Sequence, residues 1–143
     1  MLGDNIIESN IVSACEKFSK QGSGAHIILK EVPDPERFGV PVFNGDRIVA
    51  IEEKPAKPKS PYAVIGIYFY DGTVFDRIRK LKPSARHEYE ISDVNNSYLA
   101  DGSMTYSILN GWWTDAGTFE SLRHASNLVA QYGANKMDMP GSL

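Results

Sequence analysis

Between Phe38 and Tyr70 the chain alternates, turns, alternates again and then becomes continuously apolar, and few folds accommodate that order. The run FGVPVF leads into Asn44-Gly45-Asp46, and Arg47-Ile48-Val49-Ala50-Ile51 alternates away from it. An Asn-Gly pair between two alternating runs predicts a β-hairpin, because both residues tolerate positive φ. The second strand runs into Glu52-Glu53-Lys54-Pro55. Residues 55–61 are too rich in proline and lysine for regular structure and read as a loop. Tyr62 to Tyr70 then reads as a buried strand. An acid-acid-Lys-Pro element at the end of a strand sets charge beside a sheet, which is a place for a polar ligand.

The flanking sequence supplies helices and further strands. Ile7, Ile11, Ala14, Cys15 and Phe18 share a helical face, which predicts a helix from about residue 6 to Lys20 with Asp4 or Asn5 as its N-cap. Cys15 then reads as a small buried hydrophobe. Ala25 to Val32 is a predicted strand, and Pro33 to Phe38 a turn. Thr73 can cap a helix over Val74–Lys80, with Val74, Phe75, Ile78 and Leu81 inward. A loop over 82–87 precedes a helix from Glu88 to Ala100 with the stripe Ile91, Val94, Tyr98 and Leu99. Met104 to Leu109 alternates as a strand, Asn110-Gly111 makes a second hairpin-like turn, and Trp112 to Thr114 is extended. A last helix runs from Phe119 to Gln131 behind Thr118. This order predicts an α/β fold with a mixed sheet, one domain over residues 1–132 and a flexible tail over 133–143.

Composition narrows the function classes. A net charge of −3 offers no basic surface for nucleic acid, and no window approaches the ~18 apolar residues of a membrane span. The start lacks the pattern of a signal peptide, so the expected compartment is the cytoplasm. One cysteine excludes a disulfide framework.

Several residues carry candidate chemistry. Asp4 and Asp115 each stand at a predicted strand-to-helix junction, where open α/β sheets place ligands. They read either as helix caps or as two carboxylates converging on one Mg²⁺ and a phosphate. Glu53 and Lys54 offer an acceptor for sugar hydroxyls beside a cation for phosphate, or else a solvated hairpin end. Arg86 could face phosphate or simply solvent. Tyr62, Tyr68 and Tyr70 line a pocket or fill the core. His26, His87 and His124 lack metal-ligand spacing, and there is no nucleophile elbow and no P-loop.

Six strings in order, LGDN at 2–5, FGV at 38–40, EEKP at 52–55, YAVIGIYFYD at 62–71, LKPSARHEYEISDVN at 81–95 and WWTDAGT at 112–118, resemble the sugar-1-phosphate nucleotidylyltransferases, in particular those that form dTDP-glucose. Each string alone is weak; together they span about Leu2 to Val129. The resemblance implies a Rossmann-like nucleotidyltransferase fold. It implies transfer of a nucleotidyl group from dTTP to glucose 1-phosphate, with Mg²⁺, at the start of dTDP-rhamnose synthesis. Asp4 and Asp115 match the family's metal pair. Gly39 matches a glycine whose backbone meets the sugar, Glu53 the acid on the sugar hydroxyls, Lys54 and Arg86 the cations on the sugar phosphate, and Val64 and Tyr68 the pocket wall. Phe38 stands where many members carry tyrosine.

The family's glycine-rich loop of the form GGxGTRL is not in this sequence. The resemblance therefore implies the sugar- and metal-binding part of an incomplete fold, inactive alone and self-associating to cover exposed sheet. Uridylyl, cytidylyl or guanylyl relatives, and a non-catalytic sugar-phosphate-binding module, stay open at this point.

Overall fold

The computed structural model of the chain describes residues 1–84 and 87–136. Its main body is a five-stranded mixed sheet in the order β4-β3-β5-β2-β6, with β1 and β7 forming a separate two-stranded ribbon. The strands are β1 (Asn5–Ile7), β2 (Ala25–Glu31), β3 (Gly39–Asn44), β4 (Arg47–Glu53), β5 (Tyr62–Tyr70), β6 (Met104–Ile108) and β7 (Trp113–Asp115). The helices are α1 (Val12–Gln21), α2 (Val74–Lys80), α3 (Ile91–Ala100) and α4 (Phe119–Tyr132). No helix among the described residues is long and apolar enough to cross a membrane.

The predicted hairpin forms as β3 and β4, paired from Gly39↔Glu53 to Asn44↔Arg47. Its turn is centred on Gly45 and Asp46, one residue later than an Asn-Gly turn, and only Gly45 among them has positive φ, at 59°. Glycine in the first central position suits a two-residue hairpin because it carries no Cβ to clash there. The predicted Tyr strand is β5, which pairs antiparallel with β2 and meets β3 at Gly39↔Val64. β6 lies parallel to β2 on its other side.

The sheet curls until its two edges meet. The Tyr106 hydroxyl on β6 donates to the Asp46 carbonyl at 3.1 Å, and Phe43 and Tyr106 sit edge to face at 5.8 Å. Inside the curl are Ile27, Leu29, Ile51 and Val64. The opposite face buries Ile28, Ile65 and Ile67 against Ile7, Ala14 and Leu109. Each of the buried isoleucines, leucines and valines contributes about 1.5–3 kcal/mol on leaving water, and both faces of β2 and β5 are covered, which is why those strands read as unbroken apolar runs.

Several expectations are corrected. Residues 5–7 are strand, because pairing with β7 (Asn5↔Asp115, Ile6↔Thr114, Ile7↔Trp113) satisfies their backbone. α1 therefore starts at Val12, after a turn in which the Val12 N–H donates to Asn10 Oδ1 at 2.9 Å; neither Asp4 nor Asn5 caps it. Its inner face is Ile11, Ala14 and Phe18, so Cys15, one position round, is exposed. α2 buries Val74 but leaves Phe75 and Ile78 largely exposed. It leans on α3 through Arg77, whose guanidinium lies 3.8 Å over the Tyr98 ring and bonds Ser97 and Asp101. The Thr73 side chain does not cap α2. Asp71 instead accepts from the backbone and hydroxyl of Thr73. α3 starts at Ile91, not Glu88, and Ile91 stays partly exposed. Residues 110–111 join strands of different sheets and make no hairpin. Thr118 caps α4 as expected, in a reciprocal capping box with Ser121. Of the expected tail over 133–143, residues 135 and 136 are held beside β1, their N–H groups donating to the Ile7 and Glu8 carbonyls at 2.9 and 2.7 Å; residues 137–143 lie outside the described residues.

Candidate functional site

The base of the β3–β4 hairpin, the middle of β5, the first turn of α3 and the β1–β7 ribbon enclose a cavity of about 520 Å³. Gly39, Glu53, Lys54, Val64, Tyr68 and Asp115 all line it, so the structure brings six of the eight sequence-derived residues together. Asp4 lies beside it, next to Asp115. Arg86 lies outside the described residues.

Gly39 pairs with Glu53 on one side and Val64 on the other, which joins three strands at one point. A Cβ on Gly39 would meet Ser92 Oγ at 2.9 Å and Glu53 Oε2 at 3.4 Å, so glycine is required for close packing here. Glu53 is half-buried at the end of β4, and its Oε2 accepts from the Ser92 hydroxyl at 2.6 Å. Ser92, in the first turn of α3, is 3% exposed. Lys54 adopts φ 44° and donates its N–H to the Phe38 carbonyl at 3.0 Å. A left-handed non-glycine residue costs about 1–2 kcal/mol. Such strain gathers at sites whose surroundings enforce it.

Tyr68 is pushed up to about 12, chiefly by burial and then by the charges of Glu53 and Asp4. It is therefore a neutral phenol at physiological pH. Its ring stacks on Tyr70 at 5.9 Å, and Tyr70 stacks on Tyr98 at 5.6 Å. Burial also raises the Tyr70 phenol, whose hydroxyl donates to Asn95 Oδ1 at 2.6 Å. On the opposite wall Phe38 lies edge to face with Trp113 at 5.2 Å, with the Arg37 guanidinium 5.4 Å from its ring centre.

Asp4 precedes β1 and Asp115 ends β7, so antiparallel pairing of the ribbon sets them side by side; neither caps a helix. The Ala116 N–H donates to the Asp4 carbonyl at 2.7 Å and clamps the two segments. One oxygen of each carboxylate is occupied: Asp4 Oδ1 by Asn5 Nδ2 at 2.9 Å, and Asp115 Oδ1 by the Gly117 N–H at 2.7 Å. A Cβ on Gly117 would lie 2.9 Å from Asp115 Oδ1 and 3.3 Å from Asp4 Oδ2, so glycine leaves the space between the carboxylates open. Mg²⁺ favours one or two carboxylates completed by water and phosphate oxygens. This pair of hard donors fits that preference. No group of three or more His, Cys, Asp or Glu among the described residues makes a self-sufficient metal cage.

Asn5, Ser92, Trp113 and Gly66 also line the cavity; all four fall within the matched strings, but sequence reasoning assigns them no role at the site. Their place depends on contacts between distant segments, and no local pattern marks them.

The chain is similar to known proteins over most of its length. The family model described as Nucleotidyl transferase matches residues 1–132. A glucose-1-phosphate thymidylyltransferase from Neisseria meningitidis serogroup A is 47% identical over 133 residues, which cover 90% of this chain and 46% of that protein. A crystal structure of a glucose-1-phosphate thymidylyltransferase from Bacillus anthracis, in complex with sucrose, superposes with TM-score 0.84 at 50% identity, over 97% of this chain and 55% of that one. A UDP-glucose pyrophosphorylase complexed with UDP-glucose shares the fold, with TM-score 0.80 at 22% identity over 92% of this chain and 55% of that one. The chain spans about half the length of the curated relatives it matches.

Proposed function

The chain belongs to the nucleotidyl transferase family, and from that premise we propose that it supplies the sugar 1-phosphate and Mg²⁺ sites of an enzyme that makes dTDP-glucose and pyrophosphate from dTTP and glucose 1-phosphate. The observation that carries this reading is the single cavity lined by Gly39, Glu53, Lys54, Val64, Tyr68 and Asp115. Glu53 accepts hydrogen bonds from sugar hydroxyls. Its second partner, Ser92, keeps the carboxylate oriented. The buried neutral phenol of Tyr68 and the side chain of Val64 form the apolar wall against the ring. Lys54, exposed at the mouth, pairs with the phosphate, and Arg86 is assigned the same partner.

In the reaction an oxygen of the sugar phosphate attacks the α-phosphorus in line. The new P–O bond forms as the bond to the β-phosphate oxygen breaks, and pyrophosphate leaves. No covalent enzyme intermediate is required, so the chain's residues act by positioning and charge. Asp4 and Asp115 are the residues that would hold Mg²⁺, which supplies charge neutralisation on phosphate oxygens. The chain self-associates in this reading, and it turns over nucleotide only when a triphosphate-binding segment is also supplied. The cellular setting is the cytoplasm and dTDP-rhamnose synthesis.

The test is calorimetric titration of the chain with glucose 1-phosphate, with and without Mg²⁺, beside Glu53→Ala. Saturable binding is expected, weakened roughly tenfold or more in the variant, since a hydrogen bond to a charged group is worth about 1.5–3 kcal/mol. Equal affinity in the two proteins, or no binding by either, refutes the reading.

A further inference from the structure

We infer that Asn5 is the positioning residue of the carboxylate pair: its amide fixes the rotation of Asp4 and thereby leaves Asp4 Oδ2 facing the open space at Gly117. The inference rests on the reading that Asp4 and Asp115 hold a divalent cation.

Asn5 joins three segments through one side chain. Its Oδ1 accepts from the Gly66 N–H on β5 at 2.9 Å and from the Trp113 indole N–H on β7 at 2.8 Å. Two donors on the same atom settle which end of the amide is oxygen, because a flipped amide would point its NH₂ at two N–H groups. The NH₂ end is thus obliged to face Asp4, and it donates to Asp4 Oδ1 at 2.9 Å. The space for this arrangement comes from Gly66, where a Cβ would lie 2.5 Å from Asn5 Nδ2. Asp4 is left with one oxygen tied and the other, Oδ2, on the side of Gly117 where Asp115 also stands. A carboxylate held in this way loses little rotational freedom when a cation arrives, and such outer partners are worth about 10–100-fold in metal affinity. The same amide holds Trp113, the ring that packs on Phe38 in the cavity wall, so the carboxylate pair and that wall share one anchor.

The test uses Mn²⁺ as probe, with free ion counted by electron paramagnetic resonance in solutions of the whole chain. Wild type should bind Mn²⁺ saturably and Asp115→Asn should lose that binding. Asn5→Ala should bind at least tenfold more weakly. Ile7→Ala, which loosens the same strand from the core without touching the amide, should stay within about threefold of wild type. If wild type does not bind Mn²⁺, the cation reading fails and the inference with it. If wild type binds and Asn5→Ala binds equally well, or Ile7→Ala is weakened as much as Asn5→Ala, the inference alone is overturned. Should Asn5→Ala not fold, nuclear magnetic resonance of the wild-type chain decides. The Asn5 side-chain NH₂ should be protected from exchange and should shift on Mg²⁺ addition; free exchange, like that of an exposed asparagine, overturns the inference.

Discussion

Substitution of Gly39 by alanine isolates how tightly the acid of the cavity is built in. The added Cβ would stand 2.9 Å from Ser92 Oγ, 3.3 Å from Ile51 Cγ2 and 3.4 Å from Glu53 Oε2. The backbone at Gly39 is not in the left-handed region, so alanine suffers no φ penalty. It even gains about 0.4–1 kcal/mol from a less disordered unfolded chain. Against that, Ser92 is the nearest neighbour and is nearly fully buried. To clear the methyl group its hydroxyl must rotate or retreat, which breaks the 2.6 Å bond to Glu53. A hydrogen bond to a charged partner contributes about 1.5–3 kcal/mol. The net cost is then about 1–2 kcal/mol, or a melting temperature lowered by several degrees for a chain of this size. The same rotation takes the Ser92 hydroxyl away from the Glu53 carboxylate and changes its orientation, so the affinity for glucose 1-phosphate should fall roughly tenfold. Gly72→Ala is the control: nothing lies within 4 Å of its Cβ position, and its melt and affinity should match wild type. The assays are thermal unfolding by circular dichroism and calorimetric titration. A Gly39→Ala protein with wild-type melting and wild-type affinity would refute the argument that Ser92 and Glu53 depend on this glycine.

Two more outcomes are expected. Asp71 is held down to about 2 from an ordinary value near 3.8, first by the Thr73 hydroxyl, then by the Gly24 N–H. A depressed carboxylate stabilises the fold above its unfolded value, and that contribution is lost as pH falls from about 4 towards 2. The urea midpoint should therefore drop more steeply over that window in wild type than in Asp71→Asn, and parallel curves would contradict it. On α4, Phe119 is 95% exposed and Leu122, Val129 and Tyr132 are partly so. Light scattering should give a multiple of 15.8 kDa, and a monodisperse monomer would count against self-association.

The parts of the fold legible in the sequence were those whose signals are local. The β3–β4 hairpin declares itself by alternation around Gly45, and β5 by an apolar run of strand length. β1 was not legible, because three residues gain strand geometry only through β7, more than 100 positions away; taken alone, Ile6 and Ile7 fit a helix. Cys15 reads as inward for a related reason: with Ile7 in β1 instead of the helix, the inner stripe of α1 narrows to Ile11, Ala14 and Phe18 and leaves Cys15 outside it. At the site, Glu53 and Lys54 stood out by charge at a strand end. Asp4 and Asp115 are individually indistinguishable from helix caps; their shared place at strand-to-helix junctions suggests a pair, and the resemblance favours that reading over capping. Asn5 and Ser92 gave no signal, because each works by orienting a carboxylate supplied by another segment.

The β3–β4 ladder contains one irregularity. Val42 faces Ala50 and Phe43 faces Ile48, so Val49 is an extra residue on β4 without a counterpart. Strand side chains alternate sides with every position, and one residue more or less inverts everything downstream. Holding Val49 out of the ladder is therefore what lets Glu53 arrive opposite Gly39, four positions and about 14 Å further along. It is half-exposed and is not among the residues lining the sugar cavity. The orientation of the site's acid is thus encoded partly as a count of residues. Pairing Val49 with Val42 in a regular ladder would set Glu52 opposite Gly39 and turn the Glu53 carboxylate to the wrong face of the sheet, whereas deleting Val49 would leave Glu53 opposite Gly39.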